Sequence, residues 1–416
     1  MKPEIEIEPG TAAASFQKPA RPDESADSGR PVSAPRVALI CDFLEEGWLS
    51  MDLTADMLYR ELSRLPDCEM GVTQVRPALR RRLTRLPFLP KQLALNADRF
   101  MNRFGDYPRW LGRRRGDFDL FHLMDHSYSQ LIHSLPRGRS VVTCHDLDTF
   151  RPVLEPQREK RPAWFRAMAQ RILNGFLKAA HVIAVSAATR DEIVRYKLFP
   201  PERVTVVPNG VHPVFLSPPD EESDANAVRL LGASGAGPLL LSVGNTLPRK
   251  RLDILWRVFA AVRRDSPGAR LVRVGGVTRE LWKLAAELGI EKSILDLPFL
   301  ERGALAAVYR RATLLLHSAE AEGFGLPLIE AMACGCPVVA SDVPVLREVG
   351  GAAVTYCAVG DINMWAGAVK ALLQEATQQS NWELRRQRGR AWAAGFSWEE
   401  NARNTALIYR KVLEGK

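Results

Sequence analysis

Short apolar runs alternate along the chain with stretches in which apolar residues recur at helical spacing. The run RVALICD at residues 36–42 ends in an acid and is typical of a buried parallel strand. The stretch MDLTADMLYRELSRL follows it with the periodicity of a helix. Further strands of the same kind are predicted at FDLFHLMDH, SVVTCHD, HVIAVS and RVTVVPNGV. This first series predicts a parallel sheet with helices on both faces.

A second series of strands and helices follows residues 213–237, where proline, glycine and acids dominate and a linker is predicted. Its strands are predicted at LLLSVG, ARLVRVGG, ILDLPF, TLLLHS and PVVASD. The predicted fold class is therefore α/β, with two doubly wound, Rossmann-like domains that face a cleft. Ligands of such sheets bind beyond the carboxyl ends of the strands, so polar residues at strand ends are the candidates for chemistry.

Length and composition set the expected domain boundaries. The 416 residues suit two domains. We expect a disordered tail over residues 1–34, a first domain over 35–212, a linker over 213–237, a second domain over 238–395 and a C-terminal helix over 396–416. The tail is polar and lacks the basic and apolar regions of a secretory signal. No apolar run approaches the ~20 residues that cross a bilayer.

The six cysteines are scattered and form no Cys-x-x-Cys pair, although Cys334 and Cys336 lie close together. This usage favours a reducing compartment such as the cytoplasm, and it argues against a disulfide framework or a zinc site.

The net charge of +9 is concentrated in residues 76–115. Twelve arginines and lysines lie there, opposed within the stretch by Asp98 and Asp106 and interleaved with apolar residues such as Leu93 and Phe100. Such a segment can lie on an anionic membrane, bind a phosphorylated acceptor or nucleic acid, or form a plain solvated surface. The solvated surface and the membrane are the main alternatives, and we expect no nucleic acid as a partner.

The stretch EGFGLPLIEAMACGCPVVASD at residues 322–342 is the most informative. Pro327 and Gly335 predict a short helix from about Leu326 to Cys334. Its N-terminus follows a glycine-containing loop and favours an anion such as a diphosphate. Glu322 and Glu330 flank this turn, and a carboxylate can accept two hydrogen bonds from a vicinal diol. Ordinary connections between strands and helices contain similar residues. The spacing alone therefore does not distinguish a ligand-binding turn from such a connection.

The ordered set of motifs resembles the family 4 retaining glycosyltransferases of the GT-B fold, the glycosyltransferase group 1 type. The two glutamates, with seven residues between them and followed by AMACGCPVVASD, resemble the donor-site motif of that family. VGNTLPRKRL resembles its glycine-rich turn and basic pair, VVPNGV its interdomain segment, and VVTCHDLDTF its acceptor-side histidine loop. FSWEENARNTALIYRKVL resembles the terminal helices that cross back onto the first domain of family members.

The resemblance implies a role for each candidate site residue. As catalytic residues it implies His145, Glu322, Lys250 and Arg249. As donor-binding residues it implies Gly244, Asn245, Phe324, Gly325, Leu326 and Glu330. Cations at the basic pair would stabilise the leaving diphosphate, Glu330 would hold the ribose and Glu322 the sugar ring.

The acceptor side is expected to include Gly47, His126, Ser127 and Tyr128. The turn after the first strand contains only Gly47, beside Trp48, where family members often have two glycines. Asp146–Leu147–Asp148 forms an Asp-x-Asp triplet that binds a metal in a different glycosyltransferase fold. It lies away from the predicted phosphate site, so we expect no metal and no cofactor.

The function implied is transfer of a hexosyl unit, mannosyl or glucosyl in type, from a nucleotide diphosphate sugar with retention of configuration. The acceptor would be a glycan or a lipid-linked molecule in surface polysaccharide or lipopolysaccharide synthesis. The enzyme would act in the cytoplasm and, if the basic segment binds lipid, at the inner face of the membrane. A sugar-nucleotide epimerase and a catalytically silent carbohydrate-binding protein are the alternatives.

Overall fold

The structure is a computed structural model that describes residues 34–66, 69–86, 88–232 and 237–415. The tail predicted over residues 1–34 lies outside these ranges apart from Ala34. Within them, twelve strands form two parallel sheets of six. The strands are β1 Arg36–Ile40, β2 Gly71–Val75, β3 Leu120–Leu123, β4 Ser140–Cys144, β5 His181–Ala184, β6 Val204–Val206, β7 Leu239–Val243, β8 Arg270–Val274, β9 Ile294–Leu297, β10 Leu314–His317, β11 Val338–Ser341 and β12 Val354–Cys357.

Helices connect the strands and cover both faces of each sheet. In the described ranges the α-helices are α1 Leu49–Leu62, α2 Lys91–Met101, α3 Tyr107–Arg113, α4 Arg151–Leu154, α5 Ala163–Phe176, α6 Ala187–Arg195, α7 Pro213–Leu216, α8 Glu221–Leu231, α9 Leu252–Asp265, α10 Arg279–Glu287, α11 Arg302–Arg311, α12 Leu326–Ala333, α13 Pro344–Gly350, α14 Ile362–Glu375, α15 Gln379–Ala393 and α16 Trp398–Leu413. The predicted α/β class with two doubly wound sheets is confirmed.

The strand order places the chemistry. The first sheet runs β2-β1-β3-β4-β5-β6 and the second runs β12-β11-β10-β7-β8-β9. The order reverses between β1 and β3 in the first sheet and between β7 and β10 in the second. Crevices at such reversal points lie beyond the carboxyl ends of the strands and accept ligands. The ends of β7 and β10 therefore define one candidate site, and the ends of β1, β3 and β4 define another.

The last helix, α16, packs on the first sheet although it follows the second sheet in the chain. Its buried residues Ala402, Ala406 and Tyr409 share a core cluster with residues of α1, β1, β3 and β5. The hydroxyl of Tyr409 lies 2.6 Å from Nδ1 of His122 on β3. The chain thus crosses between the two domains twice, once after β6 and once before α16.

The predicted linker at residues 213–237 contains two helices, α7 and α8, while residues 233–236 lie outside the described ranges. The carboxylate of Asp220 accepts a hydrogen bond from the N–H of Ser223 at 2.9 Å and caps α8. Acids in the first turn add favourable charge at the helix N-terminus. The acids that indicated a linker therefore begin a helix, and that helix packs against α11 of the second domain.

Among the described residues, no helix is both long enough and apolar enough to span a bilayer.

His122 gives the first testable prediction. It is fully buried between the hydroxyls of Tyr409 and Thr143, and burial lowers its pKa to about 3, with a smaller contribution from His145. The unfolded chain, with an ordinary value of 6.5, takes up this proton first. Stability from this group is therefore present above pH 6.5 and is lost as the pH falls towards 3.

We expect His122→Gln to flatten the dependence of the free energy of unfolding on pH in this window. The expected reduction is up to about 1.4 kcal/mol per pH unit, measured by urea denaturation at several pH values. His133→Gln, at a more exposed histidine, is the control and should change the slope much less. Equal slopes for His122→Gln and the parent chain would contradict the prediction.

Candidate active site

The turn after β7 lies at the reversal point of the second sheet, beside the end of β10 at His317. The buried guanidinium of Arg273 donates to the carbonyls of Gly244 and Asn245, at 2.8 Å for the latter. The side-chain oxygen of Asn245 accepts from the N–H of Leu247 at 3.3 Å. Gly244 and Asn245, predicted to bind the donor, therefore form a turn whose carbonyl groups are held by a buried arginine.

The predicted basic pair lies on a short 3-10 helix, Pro248–Lys250. The main chain of the pair is tied to the segment after β10. The hydroxyl of Ser318 donates to the carbonyl of Lys250 at 2.8 Å, and the N–H of Glu320 donates to the carbonyl of Arg249 at 2.8 Å. The two segments that hold the candidate cations and the candidate carboxylate are thus held together by main-chain contacts.

Glu322 is the centre of a buried ionic cluster. One carboxylate oxygen is contacted by Nζ of Lys250 and lies 2.8 Å from Nε2 of His317, while the other lies 3.5 Å from Nη1 of Arg249. Burial acts to raise the pKa of Glu322, but Lys250, His317 and Arg249 outweigh it and lower the pKa well below its ordinary value. Glu322 is therefore ionised throughout the physiological range and fixes both cations at the end of β10.

The loop from Gly323 to Gly325 presents main-chain donors. The N–H groups of Phe324 and Gly325 have no hydrogen-bond partner within the described part of the chain, although both residues are buried. Gly325 has a φ of 98°, which suits glycine, and directly precedes α12. Leu326 then begins the helix. Buried unpaired N–H groups are rare, and together with a helix N-terminus they suit an anionic ligand.

Glu330 lies one turn into α12 in a different environment. Its carboxylate is buried, and the hydroxyl of Tyr309 donates to one of its oxygens at 3.1 Å. Burial raises the pKa of Glu330 to about 7, against smaller lowering contributions from Tyr309 and Arg302. The second oxygen has no protein donor among the described residues, so the carboxylate can still accept hydrogen bonds from a diol.

Two histidines lie at the strand ends of the first sheet. Nε2 of His145 lies 2.8 Å from the carbonyl of Met124, which only accepts, so Nε2 carries the hydrogen. Nδ1 is then an acceptor, and no donor contacts it within the described part of the chain. Burial lowers the pKa of His145, which keeps the ring neutral at pH 7. His126 lies beside it, with its Nε2 3.6 Å from Asp146. The structure thus brings both predicted histidines to one place.

The other predicted acceptor residues occupy different environments. Ser127 donates its N–H and its hydroxyl to Asp125, at 2.7 and 2.6 Å, and shapes the turn after β3. The ring of Tyr128 is 1% exposed and has the guanidinium of Arg103 4.2 Å above it, so this side chain belongs to the core. Gly47 ends a short 3-10 helix, Leu44–Glu46, in the left-handed region. The acceptor-binding roles of these residues stay predictions.

The Asp-x-Asp triplet faces an arginine of the opposite domain. Oδ2 of Asp148 lies 3.2 Å from Nε of Arg249, and Oδ2 of Asp146 lies 3.8 Å from its Nη2. These contacts connect the loop after His145 to the cluster around Glu322, so the expectation that the triplet lies away from the predicted phosphate site is wrong. They give both carboxylates a cation as partner, while the absence of a metal requirement stays a prediction.

Comparisons with known proteins decide the family. The chain matches the model described as "Glycosyl transferases group 1" over residues 229–391 and the model described as "Glycosyltransferase Family 4" over residues 57–215. It is 30% identical over 338 residues to the D-inositol 3-phosphate glycosyltransferase of Frankia alni, which covers 74% of this chain and 81% of that protein. The chain belongs to the group 1 glycosyltransferases of family 4. Its activity is therefore that of a nucleotide-sugar-dependent transferase.

Solved structures agree on the fold of this family 4 glycosyltransferase. HepE of Anabaena in complex with UDP and glucose superposes with a TM-score of 0.68 at 16% identity, covering 91% of this chain and 100% of that one. WaaG, a glycosyltransferase involved in lipopolysaccharide biosynthesis, superposes with a TM-score of 0.64 at 16% identity, covering 90% and 98%. At these identities the likeness concerns the GT-B fold alone.

Two residues of the candidate site, His317 and Tyr309, were not predicted from the sequence. His317 ends the strand predicted at TLLLHS, so a histidine at a strand end could have been noticed there. Tyr309, the partner of Glu330, lies on α11 among apolar residues, and its sequence context does not separate it from a core tyrosine.

Glu330 generates the second prediction. A diol binds best to the ionised carboxylate, so affinity for a nucleotide sugar should rise with pH until Glu330 is ionised. We expect the dissociation constant to be about 10-fold weaker at pH 6 than at pH 8. Nucleotide sugars lack a phosphate group that titrates there, so calorimetry with UDP-glucose and GDP-mannose isolates the effect.

Glu330→Gln should bind weakly at both pH values, and Tyr309→Phe should move the midpoint to higher pH because it removes a donor that lowers the pKa of Glu330. A pH dependence that survives in Glu330→Gln would assign the effect to another group.

Proposed function

We propose that this family 4 glycosyltransferase moves a hexosyl unit, mannosyl or glucosyl in type, from a nucleotide diphosphate sugar to a glycan or lipid-linked acceptor with retention of configuration. The observation that carries the proposal is the cluster of Glu322 with Lys250, Arg249 and His317, beside unpaired N–H groups at the start of α12. Cations and main-chain donors together form a cradle for a diphosphate. Glu330, whose carboxylate can accept hydrogen bonds from a diol, lies one turn further along α12.

The arrangement favours leaving-group activation as the main source of catalysis. As the bond between the anomeric carbon and the diphosphate oxygen breaks, negative charge grows on the diphosphate. Lys250 and Arg249, already fixed by Glu322, stabilise that charge without rearrangement. The acceptor oxygen forms its bond to the anomeric carbon, and its proton passes to the departing diphosphate oxygen.

Retention through a covalent intermediate needs a carboxylate free to attack the anomeric carbon. Glu322 is contacted by Lys250, His317 and Arg249, which makes it a poor nucleophile. The family resemblance favours a same-face displacement instead. His145, with Nδ1 as a free acceptor, is placed at the acceptor side to hold a hydroxyl of the acceptor or of the donor sugar.

The third prediction concerns the basic pair. Lys250→Ala should lower kcat by about 100-fold or more, because it removes a cation from the charge that develops in the transition state. The measurement is release of nucleoside diphosphate from a panel of UDP-sugars and GDP-sugars, with and without acceptors. Arg251→Ala is the matched control: this neighbour pairs with Glu320 at 2.8 Å on the surface and should stay within about 3-fold of the parent.

The same assay separates the alternative functions. An epimerase would convert the sugar without an acceptor and release no nucleoside diphosphate. A silent carbohydrate-binding protein would leave every donor intact, and Lys250→Ala would then have no activity to lose. Either result would contradict the proposal.

The proposal also places the enzyme at an anionic membrane surface through the basic segment, residues 76–115. The structure neutralises part of its charge, because Arg76 pairs with Asp52 at 3.2 Å and Arg103 lies 3.8 Å from Glu46. The excess of positive charge counted along the sequence therefore overstates the positive electrostatic potential of this segment. The exposed basic residues with no ion pair among the described residues are Arg80, Arg81, Arg85, Lys91, Arg109, Arg113, Arg114 and Arg115.

Exposed apolar side chains accompany these cations. Phe88 is 75% exposed, Leu93 62% and Phe100 51%. Leu93 and Phe100 are seven residues apart on α2, so they lie on the same side of the helix. Cations beside exposed apolar groups suit the interface of an anionic bilayer. This supports a lipid-linked acceptor and a role in surface polysaccharide or lipopolysaccharide assembly.

The fourth prediction tests the membrane contact. The chain should sediment with vesicles of phosphatidylcholine and phosphatidylglycerol at low salt, and salt should release it. The double change Arg81→Glu and Arg85→Glu should weaken binding by about 10-fold or more. The matched control, Arg263→Glu with Arg264→Glu on α9, carries the same charge change in the second domain and should bind normally. Equal binding by both variants would place the contact elsewhere.

A further inference from the structure

The start of α6 in the first domain touches the loop that carries the unpaired N–H groups in the second domain. The hydroxyl of Ser186, fully buried, lies 3.0 Å from the carbonyl of Gly323. It also accepts the N–H of Thr189 at 3.1 Å and so caps α6. A carbonyl only accepts, so the contact with Gly323 uses the Ser186 proton. The Thr189 hydroxyl lies 2.9 Å from that of Ser186 and is within donating distance of the carbonyls of His145, at 3.4 Å, and Gly323, at 3.5 Å.

A carboxylate of the second domain holds the same end of α6. Glu348 on α13 accepts the N–H of Ala187 at 2.6 Å and the N–H of Ala188 at 3.1 Å. An acid at a helix N-terminus satisfies unpaired donors and interacts favourably with the helix dipole. The first turn of α6 is therefore bound to the second domain at two places, α13 and the loop at Gly323.

Close approach at Gly323 shows how tightly the two loops meet. A Cβ atom at this position would lie 2.0 Å from the carbonyl oxygen of His145, closer than atoms can pack. Glycine is therefore required for the loop to press against the main chain that carries His145. The contact joins the acceptor-side histidine to the donor-side loop without any side chain between them.

The hydroxyl contact has a consequence for the next N–H group. In a trans peptide the C=O and the N–H point in opposite directions, and the described residues contain no cis bond. Ser186 holds the carbonyl of Gly323, so the N–H of Phe324 points away from Ser186. Phe324 is buried, and its N–H has no partner among the described residues.

We propose that Ser186 is a positioning residue that fixes the Gly323–Phe324 peptide so that the Phe324 N–H is presented to the diphosphate of the donor. The inference rests on the proposed function. A side chain of the first domain would thus set the orientation of a main-chain N–H group in the second domain. The peptide would then be held in its binding orientation when the acceptor domain is docked, which couples leaving-group stabilisation to domain closure.

Two measurements test the proposal. One is calorimetry with UDP and GDP, and the other is NMR of the amide resonances in protein labelled with ¹⁵N-phenylalanine. In the parent chain the Phe324 amide, assigned by its loss in Phe324→Leu, should shift when the diphosphate binds. Ser186→Ala should remove that shift and weaken diphosphate binding by about 5- to 10-fold, the size of one hydrogen bond. Ser186→Thr keeps the hydroxyl and should restore both.

Two further variants separate positioning from helix capping. Thr278→Ala removes the cap of α10, which accepts from Leu281 at 3.3 Å away from the domain contact, and should leave the diphosphate affinity within about 2-fold. Gly323→Ala should weaken binding like Ser186→Ala, because the added methyl group displaces the same peptide. If Ser186→Ala binds like the parent with the Phe324 shift intact, the inference is overturned. If the parent chain binds no diphosphate, the proposed function itself fails.

Discussion

A carboxylate that stays ionised while buried is the constraint on which the site depends. Removing Glu322 from water costs several kcal/mol, and the structure offsets that cost with Lys250, His317 and Arg249. These partners come from the turn after β7 and from the end of β10, so the ion cluster exists only where these two strands are neighbours. The reversal of strand order at β7 and β10 is therefore a requirement of the chemistry as well as a property of the fold.

The first domain contributes to this cluster from across the cleft. Asp148 pairs with Arg249, and the hydroxyl of Ser186 donates to the carbonyl of Gly323. In the opposite direction, Glu348 of the second domain caps α6 of the first. Contacts of this kind are short and directional, so they specify one relative position of the facing loops. Because α16 begins after the second sheet and packs on the first, the chain also ties the two domains together covalently at a second point. The site is thus assembled by both domains.

Sequence patterns predicted the two sheets because buried parallel strands are continuous apolar runs, and they placed the basic pair and both glutamates because these lie at strand ends and a helix start. They failed where a role depends on a partner distant in sequence. Tyr309 looks like any core tyrosine, and α8 was predicted as part of a linker because the sequence does not reveal its packing against α11. Charge counting along residues 76–115 missed Asp52 and Glu46, which only folding brings near.

The two glutamates that bracket the loop are chemically alike in the sequence and different in the fold. Both are buried, but Glu322 has two cations and a histidine as partners, whereas Glu330 has a tyrosine hydroxyl. Partners therefore lower the pKa of one and leave burial to raise the pKa of the other to about 7. Near neutral pH, Glu322 consequently keeps its charge, while Glu330 titrates. The proposed recognition of the nucleoside and the proposed stabilisation of the leaving group would thereby be under separate electrostatic control on the two sides of the start of α12.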